Sequence, residues 1–392
     1  MIDSKIKFTY APIGSIKTLA ELLGFSEKQL IHIANTANQQ YFDFIITNNN
    51  KTRNISEPTF VLKKIQKRIN SRIFSGIVFP NYLQGGIKAT ENNPRDYIEN
   101  AKKHCDAQTL INVDIQDFYP SIHKEKVKSI YRHLLKYPTD VIDILTKLTM
   151  YNDVLPQGGC TSSYLANLVL FNHEYKLVDY LSKKQIKYTR LIDDMTISCS
   201  VKRLTSKECE DVITRIAAML KLHDLSIKNK KTLISHDYEP FKSLKVTGLH
   251  VKHKVPKVPG KDRKYIRQLV YICEKNNDRS TDEYHTLWNK ASGKIAKINR
   301  LNYPQAITLR ERMSKVLPIF DDYQKNKLIS NVNQLLSLNK DQKQHYKTIR
   351  RINDLYFKLN ILGRSHPRLS SHLRKKISQH FGKIQTNNER WN

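Results

Sequence analysis

Lys187 to Ser200, KYTRLIDDMTISCS, is the stretch that decides how this 392-residue chain folds. Two runs with strand character flank the adjacent carboxylates Asp193 and Asp194, which places both acids at the tip of a hairpin. Like charges about 4 Å apart repel by roughly 4 kcal/mol at an effective dielectric of about 20. An apolar hairpin presenting both therefore needs a compensating cation or a solvated tip. Paired aspartates between strands are also common as plain turns, so the stretch takes its meaning from what precedes it.

Upstream, Leu110 to Ile122 reads LINVDIQDFYPSI. Ile111, Val113 and Ile115 alternate as a strand and turn Asp114 to the opposite face, where a third acid beside the hairpin would complete a two-metal site. Leu155 to Asn167 reads LPQGGCTSSYLAN: Pro156, Gly158 and Gly159 interrupt regular structure, and Ser162 or Ser163 can cap a helix running through Tyr164, Leu168 and Phe171. A glycine turn lets a ligand approach the backbone, and Gln157 offers a donor and an acceptor to a nucleotide edge. Taken singly, these pieces also read as a buried strand acid, a loop and a helix start.

In this order the blocks resemble the reverse transcriptase palm. Asp114 with Phe118 and Tyr119 resembles motif A, Pro156-Gln157-Gly158 with Ser162 motif B, and Ile192-Asp193-Asp194 motif C. A motif D helix follows, capped T-x-x-E at Thr205 and Glu208, then a turn with Lys230 and Lys231. RNISEPTFVLKKIQKRI from Arg53 resembles the fingers block, so the likeness runs from about Arg53 to Val251. Two further signatures are similar to those of retron-type bacterial enzymes: Asn100-Ala101-Lys102-Lys103-His104 before motif A, and Val246-Thr247-Gly248 after motif D. Leu191 departs from the family, which usually carries an aromatic there.

The resemblance implies an α+β right-hand polymerase with fingers, a palm of antiparallel sheet and helices, and a helical C-terminal thumb. The expected layout is an N-terminal helical layer over 1–50, fingers over 51–108, palm over 109–252 with a fingers portion between motifs A and B, and a basic thumb with extension over 253–392. It implies RNA-directed DNA polymerase activity with two Mg²⁺, or Mn²⁺, on Asp114, Ile115, Asp193 and Asp194. Lys230 or Lys231 would transfer a proton. Arg53, Ile115, Phe118, Tyr119, Gln157 and Gly158 would contact the dNTP, with Tyr119 excluding a ribose 2′-OH. Asn100, His104, Val246, Thr247 and Gly248 would contact RNA. The implied partners are a cognate structured non-coding RNA, primed from its own 2′-OH, the RNA-linked single-stranded DNA (msDNA) copied from it, and an effector or toxin in antiphage defence. The alternatives are an RNA-binding scaffold that no longer polymerises and an abortive-infection type enzyme that extends DNA without a template.

Composition agrees with a polyanionic partner: 67 Lys and Arg against 36 Asp and Glu give a net charge of +31. From Lys261 to Asn392 there are 28 basic and 11 acidic residues, a local excess of +17. Arg368, Arg374, Lys375 and Lys376 stand out there as candidate RNA contacts. No apolar run reaches the length of a membrane span and no signal sequence is evident, so a soluble intracellular protein without membrane contact is expected, which the resemblance implies is cytoplasmic in a bacterium. Five scattered cysteines with no C-x-x-C pair argue against zinc and against a disulfide framework.

Overall fold

A computed structural model describes residues 4–48, 51–91, 93–239, 243–338, 346–382 and 391. It divides into two compact units: Met1–Lys257 with Trp391–Asn392, and Val258–Arg390. The division falls inside the run KHKVPKVPGK, where prolines and a glycine among lysines interrupt regular structure.

In the first unit, strand β1 (Lys7–Phe8) precedes helix α1 (Ile16–Leu23). The Ser15 hydroxyl caps α1, and Gly24 ends it at a left-handed φ of 73°. Helix α2 (Glu27–Asn35) opens with a Ser26–Gln29 capping box. Leu19, Leu23 and Leu30 are fully buried, so the two helices form a packing layer. Strands β2 (Tyr41–Asn48) and β3 (Lys51–Pro58) make an antiparallel hairpin, followed by α3 (Phe60–Arg72). Strand β4 (Ile77–Val78) pairs with β1, and α4 (Tyr97–Lys103) starts on the Asp96 carboxylate.

The central sheet holds β5 (Thr109–Asp114), β6 (Lys187–Leu191), β7 (Asp194–Cys199) and β8 (Leu233–His236) in the order β6-β7-β5-β8, antiparallel throughout. Between β5 and β6 run α5 (Lys124–Ser129), α6 (Thr139–Thr149), α7 (Ser162–Leu168) and α8 (Glu174–Lys183). Helix α9 (Ser206–Lys221) follows β7 behind the Thr205–Glu208 capping box expected from sequence. Helix α7 starts instead on Thr161, with no side-chain cap, and Ser162 lies inside it. A short hairpin, β9 (Lys245–Val246) and β10 (Leu249–His250), ends the unit. Leu110, Ile111, Val113, Met195 and Ile197 are all buried in the sheet, each contributing about 1.5–3 kcal/mol relative to exposure.

The second unit is helical: α10 (Gly260–Lys275), α11 (Asp282–Arg300), α12 (Gln305–Ser314), α13 (Asp322–Leu336), α14 (Tyr346–Leu362) and α15 (Pro367–Phe381). The apolar stripe read from sequence in α10 buries Ile266, Leu269, Val270 and Cys273. Leu328, Val332 and Leu335 of α13 join Ile352, Leu355 and Leu359 of α14 and Leu373 and Ile377 of α15 in a separate core. All five cysteines carry free thiols. Among the described residues no helix is long and apolar enough to cross a membrane.

Candidate active site

The β6–β7 hairpin closes through Ile192 and Asp193, with Leu191 opposite Asp194. Ile192 is held at φ 63°, a left-handed conformation that a β-branched residue adopts only under outside constraint. The neighbouring strand brings Asp114 opposite Asp194, and the Ile115 N–H donates to the Asp193 carbonyl at 3.1 Å. The third acid anticipated from the strand pattern therefore stands beside the pair.

Behind it, the Lys228 N–H donates to the Asp114 carbonyl at 2.8 Å, which swings the following turn over the acids. The Lys231 ammonium pairs with the Asp114 carboxylate, and that contact raises the Lys231 pKa. Lys230 and Lys231 are both exposed, and it is Lys231 whose ammonium meets the Asp114 carboxylate. Desolvation in the cleft raises the Asp193 carboxyl, with Asp114 adding to the effect and Lys231 and Arg53 opposing it. Desolvation, then the charges of Asp193 and Asp114, push the Asp194 carboxyl up to about 6. Among the described residues no three acid, His or Cys side chains already converge in ligand geometry. The donor set nevertheless suits a hard divalent cation, and the Lys231 ammonium shows where positive charge is wanted. A cavity of about 170 Å³ opens beside Asp114, Asp194 and Lys231, lined on its other side by Lys245 and Thr247.

The motif B loop is fastened to the β2–β3 hairpin. The Ser56 N–H donates to the Gln157 carbonyl at 2.7 Å, and Gly158 follows at φ 125°. A Cβ on Gly158 would lie 2.7 Å from the Ser56 carbonyl oxygen, so both conformation and space require glycine. Gln66 and Asn70 of α3 hold the same loop through the Cys160 N–H and carbonyl, each at 2.8 Å. Arg53 is exposed on β3, yet its charge is felt at Asp193. Tyr119 faces the same acid: burial, then the Asp193 charge, push its hydroxyl up to about 12.

Other expected contacts are located differently. Phe118 is buried in the core, where it packs beside the Tyr119 ring and cannot touch a nucleotide directly. Asn100 and His104 are fully buried and offer no surface to RNA. The Thr189 hydroxyl donates to Asn100 Oδ1 at 2.6 Å, so His104 Nε2 carries the proton it gives Thr189 at 2.7 Å, and Nδ1 accepts from Ser198 at 2.7 Å. Burial keeps this imidazole neutral, with its pKa pushed down to about 3. The NAxxH block thus fastens β6 to β7 behind the acids. Val246 is also buried, whereas Gly248 is exposed and Thr247, at φ 49°, donates its hydroxyl to the Tyr97 carbonyl at 2.7 Å. In the second unit Arg374 is engaged by the Tyr356 carbonyl at 3.1 Å and Asn360 Oδ1 at 2.7 Å. Arg368, Lys375 and Lys376 are exposed.

Sequence reasoning missed the glycines that cover the Leu191–Ile192 side of the hairpin turn. A Cβ on Gly85 would lie 2.7 Å from Leu191 Cδ1, and one on Gly86 would collide with Ile192 Cδ1. Leu191, which departs from the family aromatic, thus packs against a glycine backbone. The adjacent pair in LQGG was the available signal.

An acid-bearing hairpin, a partner acid on the next strand and a loop docked beside them make a template-directed polymerase palm. Residues 45–251 match the family described as reverse transcriptase (RNA-dependent DNA polymerase), and the chain belongs to it. It is 41% identical over 383 residues to the retron Se72 reverse transcriptase of Salmonella heidelberg (strain 579083-10), covering 95% of this chain and 98% of that one. To the retron Ec48 reverse transcriptase of Escherichia coli it is 30% identical over 322 residues, covering 79% and 78%. Within the family it is of the retron type: an RNA-directed DNA polymerase with an RNA template, in a class that works with divalent metal ions.

Proposed function

We propose that this enzyme copies a cognate structured RNA into RNA-linked single-stranded DNA, starting from a 2′-OH of that RNA, with two Mg²⁺ held by Asp114, Asp193, Asp194 and the Ile115 backbone. The observation that carries this reading is the register that sets Asp114 against Asp194, with Asp193 tied to Ile115. Mn²⁺ would substitute for Mg²⁺. When bound, the ions lower the pKa of the primer hydroxyl and neutralise charge on the triphosphate and leaving oxygen. Arg53 meets the triphosphate, the Gln157–Gly158 backbone borders the dNTP, Tyr119 closes the space a 2′-OH would need, and Lys231 delivers a proton to pyrophosphate. The Thr247–Gly248 turn, part of which lines the cavity beside the acids, contacts the RNA. Cytoplasmic location and an effector or toxin partner in antiphage defence complete the proposal. Sequencing the nucleic acid that copurifies with the chain tests it: a single structured RNA joined to its DNA copy supports the reading, and unrelated or template-independent DNA overturns it.

Metal binding needs the deprotonated carboxylates. Because Asp194 titrates at about 6, protons compete below that value and metal affinity falls as pH falls. The rise in melting temperature given by added Mg²⁺ at about pH 7.5 is expected to shrink strongly by about pH 5. Differential scanning fluorimetry checks this, and an equal rise at both pH values would remove Asp194 from the metal site.

The exposed cations of α15 form the proposed RNA-contact face. Arg368, Lys375 and Lys376 lie seven and eight residues apart on one face of a helix that has no acid. Neutralising these three is expected to weaken RNA binding and to reduce the log-log salt slope by roughly 2 to 3. Filter binding at several salt concentrations measures it, and an unchanged slope means this face does not touch RNA. Arg374, engaged inside the bundle, is left out of the variant because its loss would disturb packing.

A further inference from the structure

Arg190 is the largest completely buried side chain among the described residues, and all five of its guanidinium N–H groups have acceptors. Nε donates to Glu174 Oε1 at 2.5 Å and Nη2 to Glu174 Oε2 at 2.8 Å. Nη2 also donates to the Asn167 carbonyl at 3.0 Å, and Nη1 to the Ala166 carbonyl at 3.4 Å and the Ile192 carbonyl at 3.1 Å. Glu174 is equally buried, and Oε1 accepts a further bond from the Tyr188 hydroxyl at 2.7 Å. The Arg190 backbone is fixed as well: its N–H donates to the Tyr82 carbonyl and its carbonyl accepts from the Gln84 N–H, both at 2.9 Å.

A buried ion pair is weak evidence for stability, since desolvation offsets most of the attraction. This pair does something more specific. The Ile192 carbonyl belongs to the left-handed residue immediately before Asp193, and a backbone in that region persists only where its surroundings over-determine it. The guanidinium links that carbonyl to the motif B helix and to α8 in one rigid fork.

We propose that Arg190, locked by Glu174, is a positioning residue for polymerisation: it holds the strained Ile192 turn and so sets where Asp193 and Asp194 stand. The inference rests on the reading of those aspartates as metal ligands. Lysine keeps the charge beside Glu174 but lacks the fork, so R190K separates position from charge.

The test compares the full-length parent with R190K, Y188F and a buried control, Y131F, which removes a Tyr131–Thr149 bond inside the same unit. Mn²⁺ binding is followed by loss of the free-ion paramagnetic resonance signal, alongside RNA affinity, melting temperature and single-turnover extension. Loss of a group that orients a ligand typically costs about 10- to 100-fold in metal affinity or activity. R190K is expected to lose that much in both Mn²⁺ affinity and extension rate, with RNA affinity within about twofold of the parent. Y188F, which keeps the fork but loosens Glu174, is expected to lose about three- to tenfold, so the proposal stays testable if R190K does not fold. Y131F is expected to lower the melting temperature alone. Parental Mn²⁺ affinity in R190K, or in Y188F if R190K fails to fold, overturns the proposal, as does a loss matched by Y131F at equal destabilisation. A D193A/D194A variant run in parallel keeps the two readings apart: if it retains Mn²⁺ binding and extension, the ligand assignment itself has failed.

Discussion

Replacing Asp193 and Asp194 together with alanine should lower RNA-templated DNA synthesis by at least about 10³-fold, because metal stabilisation of transition-state charge amounts to several kcal/mol. Both side chains sit at the open tip of the β6–β7 hairpin, and neither supports the core that begins at Met195. RNA affinity and melting temperature should therefore stay near parental values. Removing two crowded carboxylates from beside Asp114 even relieves repulsion, so a slight rise in stability without metal is expected. Primer extension on an RNA template under saturating Mg²⁺ decides the matter, with residual synthesis within tenfold of the parent excluding these acids from the metal site.

The second large effect concerns the sugar. Tyr119 is half-buried beside Asp193, and its ring is proposed to fill the space a 2′-OH would occupy. Tyr119→Ala should raise the ratio of ribonucleotide to deoxyribonucleotide incorporation by about 10- to 100-fold, the range a single steric contact in a pocket can supply. The gain should come from faster ribonucleotide use, with deoxyribonucleotide efficiency falling modestly as the pocket loosens. If kcat/KM falls for both substrates by the same factor, Tyr119 is a packing residue.

Much of the site was legible because its pieces are local. The hairpin, the alternation that presents Asp114, the Thr205–Glu208 box and the α10 stripe each occupy a few consecutive turns or strand residues, where periodicity and capping chemistry carry information. What stayed hidden depends on partners far apart in the chain. Arg190 and Glu174 are 16 residues apart, and nothing in either segment announces that they meet. Asn100 and His104 are expected at RNA from the resemblance, but their acceptors and donors lie on strands 85 to 94 residues later, and both side chains are buried. The choice between Lys230 and Lys231 rests on how one short turn is tied to the Asp114 carbonyl, which no side-chain pattern encodes.

The strand order of the central sheet also bears on how the chain is made. β5 sits between β7 and β8, and Ile111 meets its neighbours only at Ile197 and Ile234. At about 5–20 residues per second of synthesis, the ribosome needs roughly 6 to 25 s after Ile111 to produce the last of these strands. For about the first two thirds of that interval a strongly apolar strand has neither hydrogen-bonding neighbour, for the rest it has only β7, and pairing across such distances is slow even once the whole sheet has emerged. Overproduction at high temperature should therefore favour inclusion bodies, and slower translation or cooler growth should recover soluble enzyme without any change of sequence.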